Sequence, residues 1–204
     1  MTSPSAASAP SASARIGAVL FRNRGWLPAP FVIVPLVLSG AANLRQWLLG
    51  LTIVALGEWW RLAGVARAGP GTRRREGQSS ELVTWGPFAW SRNPLYNGNY
   101  LIWMGFVVIS GVWWFLPVAT VLFFTEYTFI VAYEEADLLR AFGPPYAEYK
   151  GRTPRWIPRP PAPGAAEGPA DYPSAWRSER STFLQYLVLV IAFVLRQQFL
   201  PPLG

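Results

Sequence analysis

The sequence predicts an all-α protein, an integral membrane helical bundle of about five transmembrane helices with its polar connecting segments gathered on the cytoplasmic side. Three observations predict this. Of the 204 residues, 51% are hydrophobic and only 14% are charged, where soluble domains carry roughly 25% charged residues. Eleven residues are Trp, a type that collects where lipid meets water. The arginines, which account for most of the net charge of +7, lie in stretches between apolar runs. That placement reads as membrane topology rather than as a nucleic-acid surface.

Taken in order, residues 1–15 are almost entirely Ser, Ala, Pro and Thr and cannot bury enough apolar surface to offset ordering, so a disordered tail is expected there. The following apolar run is cut short by Arg22 and Arg24 and has no convincing cleavage site, so the tail is expected to stay on. A first span over residues 26–40 is short and holds Pro28, Pro30 and Pro35, which predicts an irregular or kinked start. A second span, residues 44–65, carries Glu58 and Arg61 on one face at i, i+3, read as an ion pair near the interface with Arg61 snorkelling.

Residues 100–133 form one apolar run broken only by Glu126. As a single helix it would be about 50 Å long at 1.5 Å per residue, well past a hydrocarbon core of roughly 30 Å. Ser110-Gly111, Trp113-Trp114 and Pro117 supply a turn, an interfacial aromatic pair and a helix start. The run therefore splits into a hairpin, residues 96–110 and 112–140, whose second helix lifts Glu134, Glu135 and Asp137 into the polar phase. Residues 159–180 are rich in Pro, Ala and Gly and read as a flexible linker, and residues 181–204 as a C-terminal transmembrane helix. Residues 16–158 thus make the membrane core.

Nearly all basic residues fall on one side of these spans, with Arg45 and Arg196 the exceptions. With an odd number of spans, the N-terminus and both polar blocks are expected in the cytoplasm, in a bacterial inner membrane or an endomembrane. The chain has no Cys and no His. Thiolate nucleophiles and the usual neutral-pH base are excluded, and no metal site is expected.

Two polar blocks flank the hairpin. In the first, residues 80–96, Trp85-Gly86-Pro87 makes a turn and Asn93-Pro94 opens a helix, with Asn93 placed as N-cap and Pro94 at N1. The positive end of that helix can hold a carboxylate, or it can be an ordinary capped start. In the second, residues 134–152, Glu134, Glu135 and Asp137 are followed by Phe142-Gly143 as a stop, then Tyr146, Tyr149, Lys150 and Arg152, with Arg155 just beyond. Read alone, that block is either a solvated charged face or a binding surface. If an acceptor must lose a proton, the available bases are Glu126, Glu134, Glu135 or a Tyr. Tyr146, Tyr149 and Arg152 are candidates for substrate binding.

Together the blocks stand as Gly86-Pro87-Phe88, Arg92-Asn93-Pro94-Leu95-Tyr96, then Glu134-Glu135, Leu138, Phe142-Gly143, Tyr146, Tyr149, Arg152 and Ile157-Pro158. In order and spacing this resembles the integral-membrane methyltransferases that include isoprenylcysteine carboxyl methyltransferase and the phospholipid N-methyltransferases. The resemblance covers residues 44–158. It implies S-adenosylmethionine as cofactor, bound on the cytoplasmic side, and an apolar or lipid-like acceptor, with no nucleic acid and no metal as partner. Carried over by position, the cofactor contacts are Glu81, Leu82, Val83, Phe88, Asn93, Pro94, Leu95, Tyr96 and Glu134, with Arg73 a weaker candidate upstream. Asn93 stands where the family has His, Phe88 where it has Tyr, and Ile130 where the isoprenylcysteine enzymes have Arg. A reductase of the NADPH-dependent sterol type, which shares a similar membrane core, is the second reading, and a non-catalytic membrane scaffold the third. The oligomeric state is left open.

Overall fold

The structure, a computed structural model, describes residues 12–41, 43–69 and 81–199, with the side chains of 12–15 left aside. All regular structure among the described residues is helical. Helix α1 is Ala12–Arg22, α2 Ala29–Leu38, α3 Leu44–Ala68, α4 Pro87–Trp90, α5 Pro94–Ser110, α6 Phe115–Phe142, α7 Pro144–Arg152, α8 Tyr172–Ser178 and α9 Arg180–Phe199.

Three of these, α3, α6 and α9, are long and apolar enough to cross a membrane. Of the other two expected spans, α2 has ten residues and α5 seventeen, about 15 and 25 Å of helix, both short of a hydrocarbon core of roughly 30 Å. Large apolar side chains such as Leu48, Leu56, Val121, Leu187 and Ile191 face outward, as they do when lipid is the solvent.

Local chemistry sets the helix ends. Asn43 and Gln46 form a reciprocal capping box at the start of α3, the Gln46 N–H donating to Asn43 Oδ1 at 3.0 Å and the Asn43 N–H to Gln46 Oε1 at 2.9 Å. Helix α6 stops at Gly143, whose φ of 57° suits glycine and whose N–H returns to the Leu139 carbonyl. The expected hairpin is therefore present, as α5 and α6.

Helices α3 and α5 run against each other along glycines spaced by seven, Gly50 and Gly57 on one and Gly98 and Gly105 on the other. A Cβ built on Gly57 would lie 2.7 Å from the Gly98 carbonyl oxygen, and one on Gly105 equally close to that of Gly50. The backbones meet with no side chain between them. On one flank Phe31, Val107, Phe123, Tyr127 and Ile130 join α2, α5 and α6; on the other Val54, Ile102, Phe106, Ile109 and Phe193 join α3, α5 and α9.

Both ends of the chain carry structure among the described residues. The tail expected over 1–15 lies outside the described residues as far as residue 11, and residues 12–15 belong to α1. That helix lies against α6, with Gly17 at the Phe129 carbonyl and the Phe21 ring 5.6 Å from that of Tyr133; a small residue permits the approach that composition did not advertise. The linker expected over 159–180 is docked. The Gly86 N–H donates to the Ala166 carbonyl at 2.9 Å, Trp85 Nε1 to the Pro169 carbonyl at 3.0 Å and the Asp171 N–H to the Ala66 carbonyl at 2.7 Å. Asp171 then caps α8 through the Ser174 N–H, and Ala175 packs with Leu62, Val65 and Ala66. Proline-rich sequence is stiff and extended rather than loose, and here it straps the core.

Candidate functional site

Both polar blocks reach the same end of the hairpin, where they are zipped together. The Arg92 N–H donates to the Pro154 carbonyl at 2.9 Å and the Arg159 N–H to the Trp90 carbonyl at 3.0 Å. Ser91 Oγ and Asn93 Nδ2 both donate to the Arg155 carbonyl, Asn97 Nδ2 to the Trp156 carbonyl, and Tyr149 Oη to the Phe88 carbonyl at 2.9 Å. At the centre of the seam, Glu135 accepts from Arg92 Nη2 at 2.9 Å and Arg155 Nη2 at 2.6 Å, with Lys150 Nζ at 3.4 Å.

The zip encloses a cavity of about 520 Å³, within the range of roughly 300–1,000 Å³ usual for small-molecule sites. Every described cofactor candidate lines it: Glu81, Leu82 and Val83 on one rim, Phe88, then Asn93, Pro94, Leu95 and Tyr96 at the start of α5, and Glu134 from α6. Arg73 lies outside the described residues. Tyr96 Oη donates to Glu134 Oε1 at 2.9 Å, and its ring sits 4.8 Å from that of Tyr127, which lines the cavity beneath it and stacks on Phe123.

Asn93 corrects the capping expectation. It occupies the N-cap position but makes no capping bond, its amide being spent on the Arg155 carbonyl. The first turn of this 17-residue helix lines the cavity with no side-chain hydrogen bond capping it, an arrangement that suits an anion. Tyr146 and Tyr149 also line the cavity. Burial, with Glu135 nearby, pushes the Tyr146 phenol up to about 12, and burial pushes Tyr149 up as well, so both remain protonated donors at neutral pH.

Three other expected site residues stand differently. Glu135 touches the cavity, and its oxygens are taken up by Arg92, Arg155 and Lys150, which ties the two blocks together. Glu126 lies two turns before Glu134 on α6, about 12 Å along the helix axis, and is not part of the cavity wall; its Oε2 is buried with no hydrogen-bond partner among the described residues. Arg152 is exposed and pairs with Glu148 on its own helix at 3.4 Å. The sequence reading also missed several lining residues: Arg24, Arg61, Asn99, Trp103, Tyr127 and Gln185. Tyr96, Asn99 and Trp103 recur at i, i+3 and i+7 of a predicted helix, a one-face stripe that could have been read.

Arg61 belongs to a second polar cluster. It donates to Glu58 through Nε and Nη2, both at 3.0 Å, and through Nη2 to Glu179 at the α8–α9 corner, while Tyr186 Oη donates to Glu58 at 2.9 Å. The expected i, i+3 pair is there, yet all three charged residues are buried. Arg61 is not snorkelling.

Residues 45–144 match the family described as phospholipid methyltransferase. Among curated proteins, protein-S-isoprenylcysteine O-methyltransferase B of Arabidopsis thaliana is 32% identical over 136 residues, covering 62% of this chain and 67% of that protein. The human protein-S-isoprenylcysteine O-methyltransferase is 35% identical over 129 residues, 57% of this chain and 44% of that protein. The nickel-cobalt-cadmium resistance protein NccN of Alcaligenes xylosoxydans xylosoxydans is 29% identical over 119 residues, 58% of this chain and 51% of that protein. The chain spans about half the length of most of the curated relatives it matches. No solved structure matches it.

Proposed function

The chain belongs to the phospholipid methyltransferase family, and on that premise we propose that it transfers a methyl group from S-adenosylmethionine to an apolar or lipid-like acceptor at a membrane surface. The observation that carries this reading is the shared cavity, in which the uncapped first turn of α5 and the Glu134 carboxylate line one space with the 81–83 segment and Phe88. When bound, S-adenosylmethionine supplies a methyl on a sulfonium; an acceptor lone pair forms the new bond to that carbon as the carbon–sulfur bond breaks, leaving a neutral thioether.

The chain's own residues bind and orient. The N–H groups of the α5 first turn hold the methionine carboxylate. Glu134, with Tyr96 fixing one of its oxygens, accepts from the ammonium or a ribose hydroxyl. Backbone groups of 81–83 read an adenine edge, and the rings of Phe88 and Tyr96 offer faces for stacking or for the sulfonium. Alignment and exclusion of water supply most of the rate in such an in-line displacement. An anionic acceptor needs no base, whereas an N–H or O–H acceptor gives its proton to Glu134.

We read α2 and α5 as short membrane segments beside the three helices long enough to cross; with that count, the arginine distribution supports a cytoplasmic N-terminus and cytoplasmic polar blocks. Calorimetric titration of detergent-purified protein with S-adenosylhomocysteine and with NADPH tests the function. Binding of the first and not the second is expected; the reverse result moves the chain to the reductase reading. Incubation with labelled donor and a total lipid extract then identifies the molecule that gains a methyl.

A further inference from the structure

Helices α8 and α9 lie wholly beyond the matched residues 45–144. Even so, Gln185 of α9 lines the same cavity as Asn93 and Glu134. The same wall holds Asn99 and Trp103, one and two turns further along α5 than Tyr96, and Arg61 of α3. The amides of Gln185 and Asn99 make no hydrogen bond among the described residues. Each can therefore offer a donor and an acceptor to a guest. Beside the apolar packing of Phe193, α9 is held at this wall by buried polar contacts: Glu179, with 0% exposure, takes a bond from Arg61 Nη2, and Tyr186 Oη donates to Glu58 one turn away.

We propose that α9 is the acceptor-side wall of the cavity. Gln185 is a specificity-determining residue that meets the polar head of an apolar acceptor, and Glu179 is a positioning residue that holds the wall through Arg61. This rests on the methyl-transfer reading and adds a division of labour to it. The first-turn end of α5 with Glu134 serves the donor, and the wall under α9 serves an acceptor whose head both donates and accepts hydrogen bonds.

The absence of Cys allows a single-site test. Gln185→Cys is prepared in the full chain and capped with thiol reagents of increasing bulk, and Ile191→Cys on the outward face of α9 serves as control. Two quantities are read: affinity for S-adenosylhomocysteine, and methyl transfer from labelled donor into a total polar lipid extract. Donor-product affinity is expected to stay within about twofold while transfer falls about tenfold or more with the bulkiest cap, and capping the Ile191→Cys control changes neither. Transfer that ignores the cap, or an equal fall in S-adenosylhomocysteine affinity, overturns the proposal.

A bimane label on the thiol of the Gln185→Cys variant gives a readout without turnover. A spectral shift on adding the lipid extract supports the wall and its absence overturns it, whereas wild-type protein that binds no S-adenosylhomocysteine overturns the methyl-transfer reading instead. Glu179→Gln is expected to raise the acceptor KM about tenfold with little change in kcat, and Glu179→Asp to restore it. Equal loss in both variants, or a loss confined to kcat, removes Glu179 from the positioning role.

Discussion

Around Glu135 one carboxylate holds Arg92, Arg155 and Lys150; around Arg61 one guanidinium holds Glu58 and Glu179. The two clusters have opposite stoichiometry and different surroundings. At the first, the Lys150 and Arg155 side chains are 43% and 33% exposed, so a cation that loses its partner can turn to water. At the second, Glu179 has 0% exposure and Arg61 and Glu58 only 9% each, so a broken pair gains much less from water. The first cluster closes a cavity rim at a polar boundary; the second fixes the distance between two helices inside the bundle. Similar side chains thus do work of different cost according to the dielectric around them.

The largest effect expected from this contrast is for Arg61→Met, which leaves Glu58 and Glu179 buried without their shared cation. A loss of about 3–5 kcal/mol follows, or roughly 10 °C in detergent thermal unfolding. Glu135→Gln, which removes charge but keeps an acceptor at the rim, is expected to cost about 1–3 kcal/mol, read by the same melts. Equal losses in the two variants would break the comparison, since the rim would then be behaving as an interior.

A third variant sharpens it at the level of function. Glu134→Ala should weaken S-adenosylhomocysteine binding about 10- to 100-fold in titration calorimetry, the value of a charge-assisted bond of about 1.5–3 kcal/mol. Its melting temperature should fall less than that of Glu135→Gln, because neighbouring carboxylates have been given separate tasks. The smallest effect belongs to Arg152→Ala. Its side chain meets only Glu148 in the open, so stability should stay within about 0.5 kcal/mol and donor-product affinity should not move.

The parts of this arrangement that local chemistry dictates were legible in the sequence. Asn93-Pro94 announced the start of α5, Phe142-Gly143 the end of α6, and run length alone forced a turn near Gly111. The convergence of nine expected cofactor residues on one cavity followed from that turn. What stayed hidden depends on contacts distant in sequence. Ser91 and Asn97 look like loop and helix filler until the 154–156 backbone arrives to accept from them. Glu179 lies 118 residues from Arg61 and Gln185 further still, and nothing local marks either. Proline content pointed to a linker over 159–180 and gave no sign that Ala166, Pro169 and Asp171 would bond to Gly86, Trp85 and Ala66. Glu126 looked functional because a carboxylate within a span is costly, a rule that flags a residue without saying which way it points.

The glycine seam between α3 and α5 has one more consequence. Its contacts repeat every seven residues on both helices, at Gly50, Gly57 and Gly64 and at Gly98 and Gly105. Sliding α5 by one repeat, about 10 Å, would bring Gly98 opposite Gly64 and Gly105 opposite Gly57, restoring two smooth glycine crossings. Smoothness therefore leaves the vernier undecided between two settings. The choice falls to α5 groups whose partners cannot be duplicated by translation, Tyr96 on Glu134, Asn97 on the Trp156 carbonyl and the Ile109 carbonyl under Gln197, so contacts at both ends of one helix decide whether the cavity is assembled.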